Sequence, residues 1–186
     1  MTPAPGHRGL LAASVVAGVA LLVTTVSVVV LVGGTDSSPV NHAYGTISCT
    51  APSLPGATVT VEASDSGAMM MAQAPLRATL AASPTTVPAG RVSFVVANSG
   101  VLVHEMVVLP LPADGPGTRA TGSDGKIDES ASRGEASRSC AAGTGDGIAP
   151  GSTGWTTLTL APGRYELVCD MPWHYAAGMF DVLTVT

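Results

Sequence analysis

Residues 169–179 read Cys169-Asp170-Met171-Pro172-Trp173-His174-Tyr175-Ala176-Ala177-Gly178-Met179, and this stretch decides how the rest of the chain is to be read. A thiol, an imidazole and a thioether stand at spacings of five and five, between two strand-like runs at 164–168 and 180–186. A thiolate together with a thioether favours copper, and two His with one Cys in a trigonal plane and a distant axial Met form the arrangement of one-electron copper sites. The loop supplies only one His. The best upstream candidate for the other is His104, in Asn98-Ser99-Gly100-Val101-Leu102-Val103-His104-Glu105-Met106-Val107-Val108, where a strand, a turn and a second strand would deliver it from elsewhere in the fold.

Each residue alone has a plainer explanation: Cys169 as a small buried hydrophobe, His174 at the surface, Met179 in the core. With a strand on each side and His104 upstream, the constellation outweighs those explanations. Zinc fits poorly, because structural zinc sites take four strong ligands and catalytic ones keep a water position. Pro172 lacks an N–H and removes one possible donor near the Cys169 sulfur. Asp170 is a candidate to hold the loop by accepting backbone N–H groups.

The pairing of Asn-x-Gly-x-x-x-His-Glu at 98–105 with Cys-x4-His-x4-Met at 169–179 resembles the type 1 (blue) copper cupredoxins, more narrowly their membrane-anchored, sulfocyanin-like and plastocyanin-like branch, over residues 57–186. The resemblance implies one copper cycling between Cu(I) and Cu(II), with His104, Cys169 and His174 as strong equatorial ligands and Met179 as the weak axial one. It also implies that Trp173 and Tyr175, on either side of His174, frame an apolar patch where redox partner proteins dock. Family loops often carry Gly just before the second His. Here that residue is Trp173, with the ligand spacing intact.

Working outward from the loop, the sequence reads as strands. Alternation at 58–62, a run at 76–80, another at 91–97, a buried run at 104–109, alternation at 156–160, and the two runs beside the Cys loop make seven, punctuated by Pro and Gly. With almost no helical periodicity, this predicts an all-β, Greek-key sandwich or barrel. Met106 and Trp155 are assigned to its core. Residues 112–154, rich in Gly, Ser, Ala and Asp, form a long loop before the last three strands. A compact domain seldom carries so long a structureless segment, so a short helix is expected near 128–137.

Ahead of this domain lie 23 residues without a charge, 10–32, preceded by His7 and Arg8. As a helix they would extend about 35 Å, against a hydrocarbon core of about 30 Å. The expected organisation is a cytoplasmic N-terminus at 1–9, a transmembrane anchor at 10–32, a polar tether at 33–45 and the copper domain at 46–186. A cleaved signal peptide is the rival, which would remove residues 1–34 and secrete the rest, but its apolar part usually runs about 7–15 residues. Arg8 places the domain on the extracytoplasmic side of the cell membrane by the positive-inside tendency.

Only 11% of the 186 residues are charged, and the formal net charge of −5 leaves no basic patch for a nucleic acid. Of the three cysteines, one is claimed by copper, and in an oxidising exterior Cys49 and Cys140 become the natural disulfide pair. Spacing alone does not exclude pairings through Cys169. Four histidines are too few for a second copper centre within one chain, since His7 and His42 fall in the N-terminus and the tether. No third group is placed to orient a His for hydrolytic chemistry. An electron carrier rather than an enzyme is expected. The alternative is a copper-delivery or storage protein using the same ligands with Met69-Met70-Met71, although three consecutive strand residues point to alternating faces and cannot converge on one ion.

Overall fold

The computed structural model describes residues 49–66 and 77–186. The expected N-terminus, anchor and tether, and the Met69–Met71 cluster, lie outside the described residues. Nine strands are present among the described residues: β1 Ala57–Ser66, β2 Arg77–Ser83, β3 Thr86–Val87, β4 Gly90–Asn98, β5 Met106–Pro110, β6 Gly134–Ala136, β7 Thr153–Leu160, β8 Gly163–Val168 and β9 Phe180–Val185. They form a four-stranded sheet in the order β2-β1-β4-β7 and a five-stranded sheet in the order β3-β9-β8-β5-β6. The β1/β4 and β3/β9 pairs are parallel and the rest antiparallel.

The all-β sandwich follows from period-two patterning. On β1, Val59, Val61 and Ala63 point inward and are buried, as are Val92, Phe94 and Val96 on the adjacent β4. Opposite them stand Met106, Val108, Leu167, Leu183 and Val185 of the second sheet. Strands β5 and β8 are buried on both faces, because Val107, Leu109 and Val168 pack outward against Ile127 and Tyr175 in a second, smaller core. That outer core explains the long loop. Its first part crosses the outside of the five-stranded sheet and contributes Ile127, while Arg119 reaches buried Glu166 of β8 through a 2.7 Å ion pair.

Two expectations require correction. No helix forms near 128–137: residues 128–133 are turn and irregular backbone, and Gly134–Ala136 form β6, pairing Ala136 with Met106 and Gly134 with Val108. The exposed ladder of β5 needs partners for its backbone groups, and Gly134 at φ +136° adopts a conformation no helix uses. Trp155 lies on the outer face of β7, half-buried, because its neighbour Thr156 pairs with Phe94 and takes the inward position. Met106 is fully buried as expected.

Cys49 and Cys140 are bonded, with Cα atoms 5.5 Å apart and a sequence separation of 91. The bond ties the start of the domain to the long loop, and Cys169 is left as a free, buried thiol. Among the described residues no helix is long and apolar enough to cross a membrane.

Candidate metal centre

Two loops at one end of the sandwich carry the candidate ligands. The first leaves β4 at Asn98, whose side chain builds the turn. Its Nδ2 donates to Leu102 O at 2.8 Å and to Ile148 O at 2.7 Å, and its Oδ1 accepts from Gly100 N–H at 2.9 Å. His104 is then clamped by Ile148 of the long loop. His104 N–H donates to Ile148 O at 3.1 Å, and Ile148 N–H donates back to His104 O at 2.6 Å. The Asn-x-Gly-x-x-x-His pattern is thus a device for presenting one imidazole.

The second loop runs from Cys169 to Met179 and is closed by its own main chain. Cys169 N–H donates to Met179 O, His174 N–H to Met171 O and Met179 N–H to His174 O, at 3.1, 2.9 and 3.1 Å. Trp173 sits at φ +71°, in the left-handed region that favours glycine. This is the physical sense of the glycine that cupredoxin loops often place there. Trp173 N–H is anchored to Gly125 O at 2.8 Å, and its indole lies so close over Gly125 that a Cβ there would meet ring atoms at 2.9 Å.

The loops bring three donors together. Cys169 Sγ lies 3.4 Å from His174 Nδ1 and 3.9 Å from His104 Nδ1, and the two Nδ1 atoms are 3.2 Å apart. His104 and Cys169 are fully buried and His174 nearly so. Met179 is also fully buried at the end of the same loop. The three ligand atoms all lie within 4.8 Å of one another, a spacing one metal ion can bridge. A nitrogen, nitrogen, sulfur set with a thioether following on the loop fits copper by donor softness.

Burial sets the protonation of these groups. It pushes the Cys169 thiol up to about 12 against the opposing pull of N–H groups from Glu105 and Met171, the former donating to Sγ at 3.4 Å. Burial, with the nearby His104 charge, brings His174 down to about 4. His104 is lowered by burial as well, with Asp65 opposing. Without metal the cluster is a neutral thiol beside neutral imidazoles, so a cation that binds there displaces the thiol proton.

Of the docking residues, Trp173 is 56% exposed, whereas Tyr175 is 3% exposed and does not frame a surface. The Tyr175 hydroxyl donates to Glu166 Oε1 and accepts from Arg119 N–H, each at 3.1 Å, and its ring packs against Phe180. Alternation about His174 does not apply in a turn, so the residue after the ligand faces the interior. Asp170 does hold the loop, accepting Ile127 N–H at 2.7 Å.

Asp65 is the residue that sequence reading missed. Its side chain is fully enclosed, and Oδ2 lies 2.9 Å from His104 Nε2 while accepting N–H groups of Val101 at 2.8 Å and Leu102 at 3.0 Å. A signal was available. Val59, Val61 and Ala63 form the inward row of β1, and Asp65 is its next member, an acid where the pattern calls for an apolar residue.

The family model for the sulfocyanin (SoxE) domain matches residues 79–186, more than half of the chain and the span that contains all four candidate ligands. The chain belongs to the sulfocyanin family. Its members are type 1 blue copper cupredoxins, and homologues of this class bind one type 1 copper, for which His104, Cys169, His174 and Met179 are the candidate site. Similar solved structures include reduced auracyanin from Roseiflexus castenholzii, 24% identical with a TM-score of 0.43, covering 70% of this chain and 99% of that one. Auracyanin B is 25% identical with a TM-score of 0.45, covering 75% and 95%. Rusticyanin from Thiobacillus ferrooxidans is 22% identical with a TM-score of 0.41, covering 75% and 86%. No curated protein matches the sequence.

Proposed function

We propose that this sulfocyanin is a one-electron carrier, not an enzyme, working on the extracytoplasmic side of a membrane to which residues 10–32 anchor it. The observation that carries the electron-transfer reading is the convergence of His104 Nδ1, His174 Nδ1 and Cys169 Sγ in a buried cluster. When bound, copper supplies the one-electron couple between Cu(I) and Cu(II). The residues supply its rigidity. His104 is held by Asn98, Ile148 and Asp65, and the Cys loop by its internal hydrogen bonds, so the donors have little freedom to follow the geometry that each oxidation state would choose.

Partner docking is supported by the surface beside the cluster. Val101, Val103 and Trp173 are the exposed large hydrophobic residues among those described, and all three lie on the two ligand loops. An apolar patch of this kind suits brief encounters with redox proteins, whose interfaces bury less than about 1,200 Å². The charge-free length of residues 10–32 and the position of Arg8 support the membrane reading.

The deciding experiment is the visible spectrum of the full-length chain loaded with Cu(II), beside Cys169→Ser. An intense thiolate-to-copper band that bleaches reversibly with reductant, and that the variant lacks, is expected. A colourless protein that releases its copper to a chelator would overturn the electron-carrier reading and favour copper delivery.

A further inference from the structure

We propose that Asp65 is a positioning residue for the metal centre, which holds His104 with its proton on Nε2 and its Nδ1 lone pair toward Cys169 and His174, and which favours Cu(II) over Cu(I). The inference deepens the electron-carrier reading and rests on it for its redox half.

The geometry allows one arrangement of the proton. Oδ2 of Asp65 lies 2.9 Å from His104 Nε2, and the same oxygen accepts two backbone N–H groups, from Val101 and Leu102. A carboxylate oxygen that serves three donors is an acceptor, so the third donor is Nε2–H. A neutral imidazole carries one N–H, so Nδ1 is left bare on the side of the cluster, 3.2 Å from His174 Nδ1 and 3.9 Å from the sulfur. Outer carboxylates that accept the remote N–H of a ligating His orient the ring and raise its basicity.

Space at this contact is reserved for it. A Cβ on Gly100 would overlap Asp65 Oδ2 and come within 2.8 Å of His104 Nε2. Only a residue without a side chain lets the acid and the ring meet under the turn. Asp65 also comes from a different strand, 39 positions before His104, so no local rule of the ligand loop places it there.

The redox consequence follows from charge. With a thiolate ligand, the Cu(II) centre carries net +1 and the Cu(I) centre is neutral. An enclosed carboxylate hydrogen-bonded to one ligand is attracted to the first and indifferent to the second, with little solvent to screen it. Asp65 therefore lowers the reduction potential.

Two variants of the full-length chain separate the parts of the proposal. Asp65→Asn keeps an acceptor of nearly the same shape and removes the charge, and Asp65→Ala removes both. In the metal-free protein, long-range nitrogen–proton NMR correlations of the His104 ring should show Nε2–H in the wild type and in Asp65→Asn, but a mixture of tautomers in Asp65→Ala. In the copper-loaded protein, Asp65→Asn should weaken Cu(II) about tenfold more than Cu(I), which raises the reduction potential by about 59 mV for a one-electron couple. If His104 keeps Nε2–H in Asp65→Ala and the potential of Asp65→Asn equals that of the wild type, Asp65 is only a brace for Val101 and Leu102, and the proposal is overturned. A wild-type chain that shows the expected tautomer but no blue copper band overturns the redox half together with the electron-carrier function. The NMR result separates that failure from a failure of the positioning role.

Discussion

The two loops that meet at the candidate centre are built in opposite ways. Residues 169–179 close on themselves, with Cys169, His174 and Met179 tied to one another by main-chain hydrogen bonds. Residues 98–105 are held from outside: Asp65 comes from β1, and Ile148 from the far end of the long loop. The first loop carries its geometry in its spacing. The second is a segment whose one ligand, His104, is placed by groups distant in sequence. Rigidity at a metal centre can therefore be local on one side and tertiary on the other.

The largest expected effect tests the tertiary side. Replacing Cys49 and Cys140 by Ser should cost about 2–4 kcal/mol in chemical unfolding, because the bond closes a loop of about 90 residues. Cys140 lies a few residues before Ile148, so exchange of His104 N–H, bonded to Ile148 O, should accelerate more than that of Cys169 N–H, bonded to Met179 O. Equal acceleration in the two loops would break the comparison. Next is Gly100→Ala, which forces a methyl group into Asp65 and His104 and should cost about 1–3 kcal/mol. Copper titration and unfolding midpoints should show the Cu(II) site lost or weakened with the Cys loop still protected from exchange.

A smaller effect comes from acids that lie against both loops. Burial pushes Glu105 up to about 7, Lys126 opposing and the charges of Glu135 and Asp170 adding. Glu129 is likewise pushed up to about 7, first by burial and then by its hydrogen bond to Asp170. A carboxyl whose folded pKa lies above its unfolded one of about 4.5 binds more protons when folded, so its favourable contribution is complete below about pH 4.5 and is lost as pH rises toward 7. Melting temperature should thus fall by a few degrees over that window. Glu129→Gln should flatten the slope, and a melting curve with an unchanged slope would count against this assignment.

The smallest change sharpens the local side. Trp173→Gly removes a contact with Gly125 but relieves a left-handed backbone, so the net effect on unfolding should stay within about 1 kcal/mol. The blue band should persist, while electron transfer to a protein partner slows. A large loss of stability would mean that the indole, rather than the main chain, holds the loop.

Legibility in the sequence follows the same division. The strands were readable because period-two alternation survives without knowledge of neighbours, as in 58–62 and 156–160. The two shortest strands, β3 and β6, were not, since two or three residues carry no period. Trp155 reads as core in the sequence, whereas its register against Val95 turns it outward. The cupredoxin resemblance implies a surface role for Tyr175 beside His174, yet Glu166 and Arg119 draw it in.

By itself the sequence determined the donor types, their order and the five-residue steps between them, because Cys169, His174 and Met179 lie on one short loop whose main chain links them directly. It also determined the all-β class through alternation. Only the tertiary structure decided that His104 meets Cys169, that Asp65 stands behind it, and that the long loop covers β5 and β8. These depend on contacts between segments tens of residues apart, where strand register and burial, rather than local spacing, choose which side chains touch.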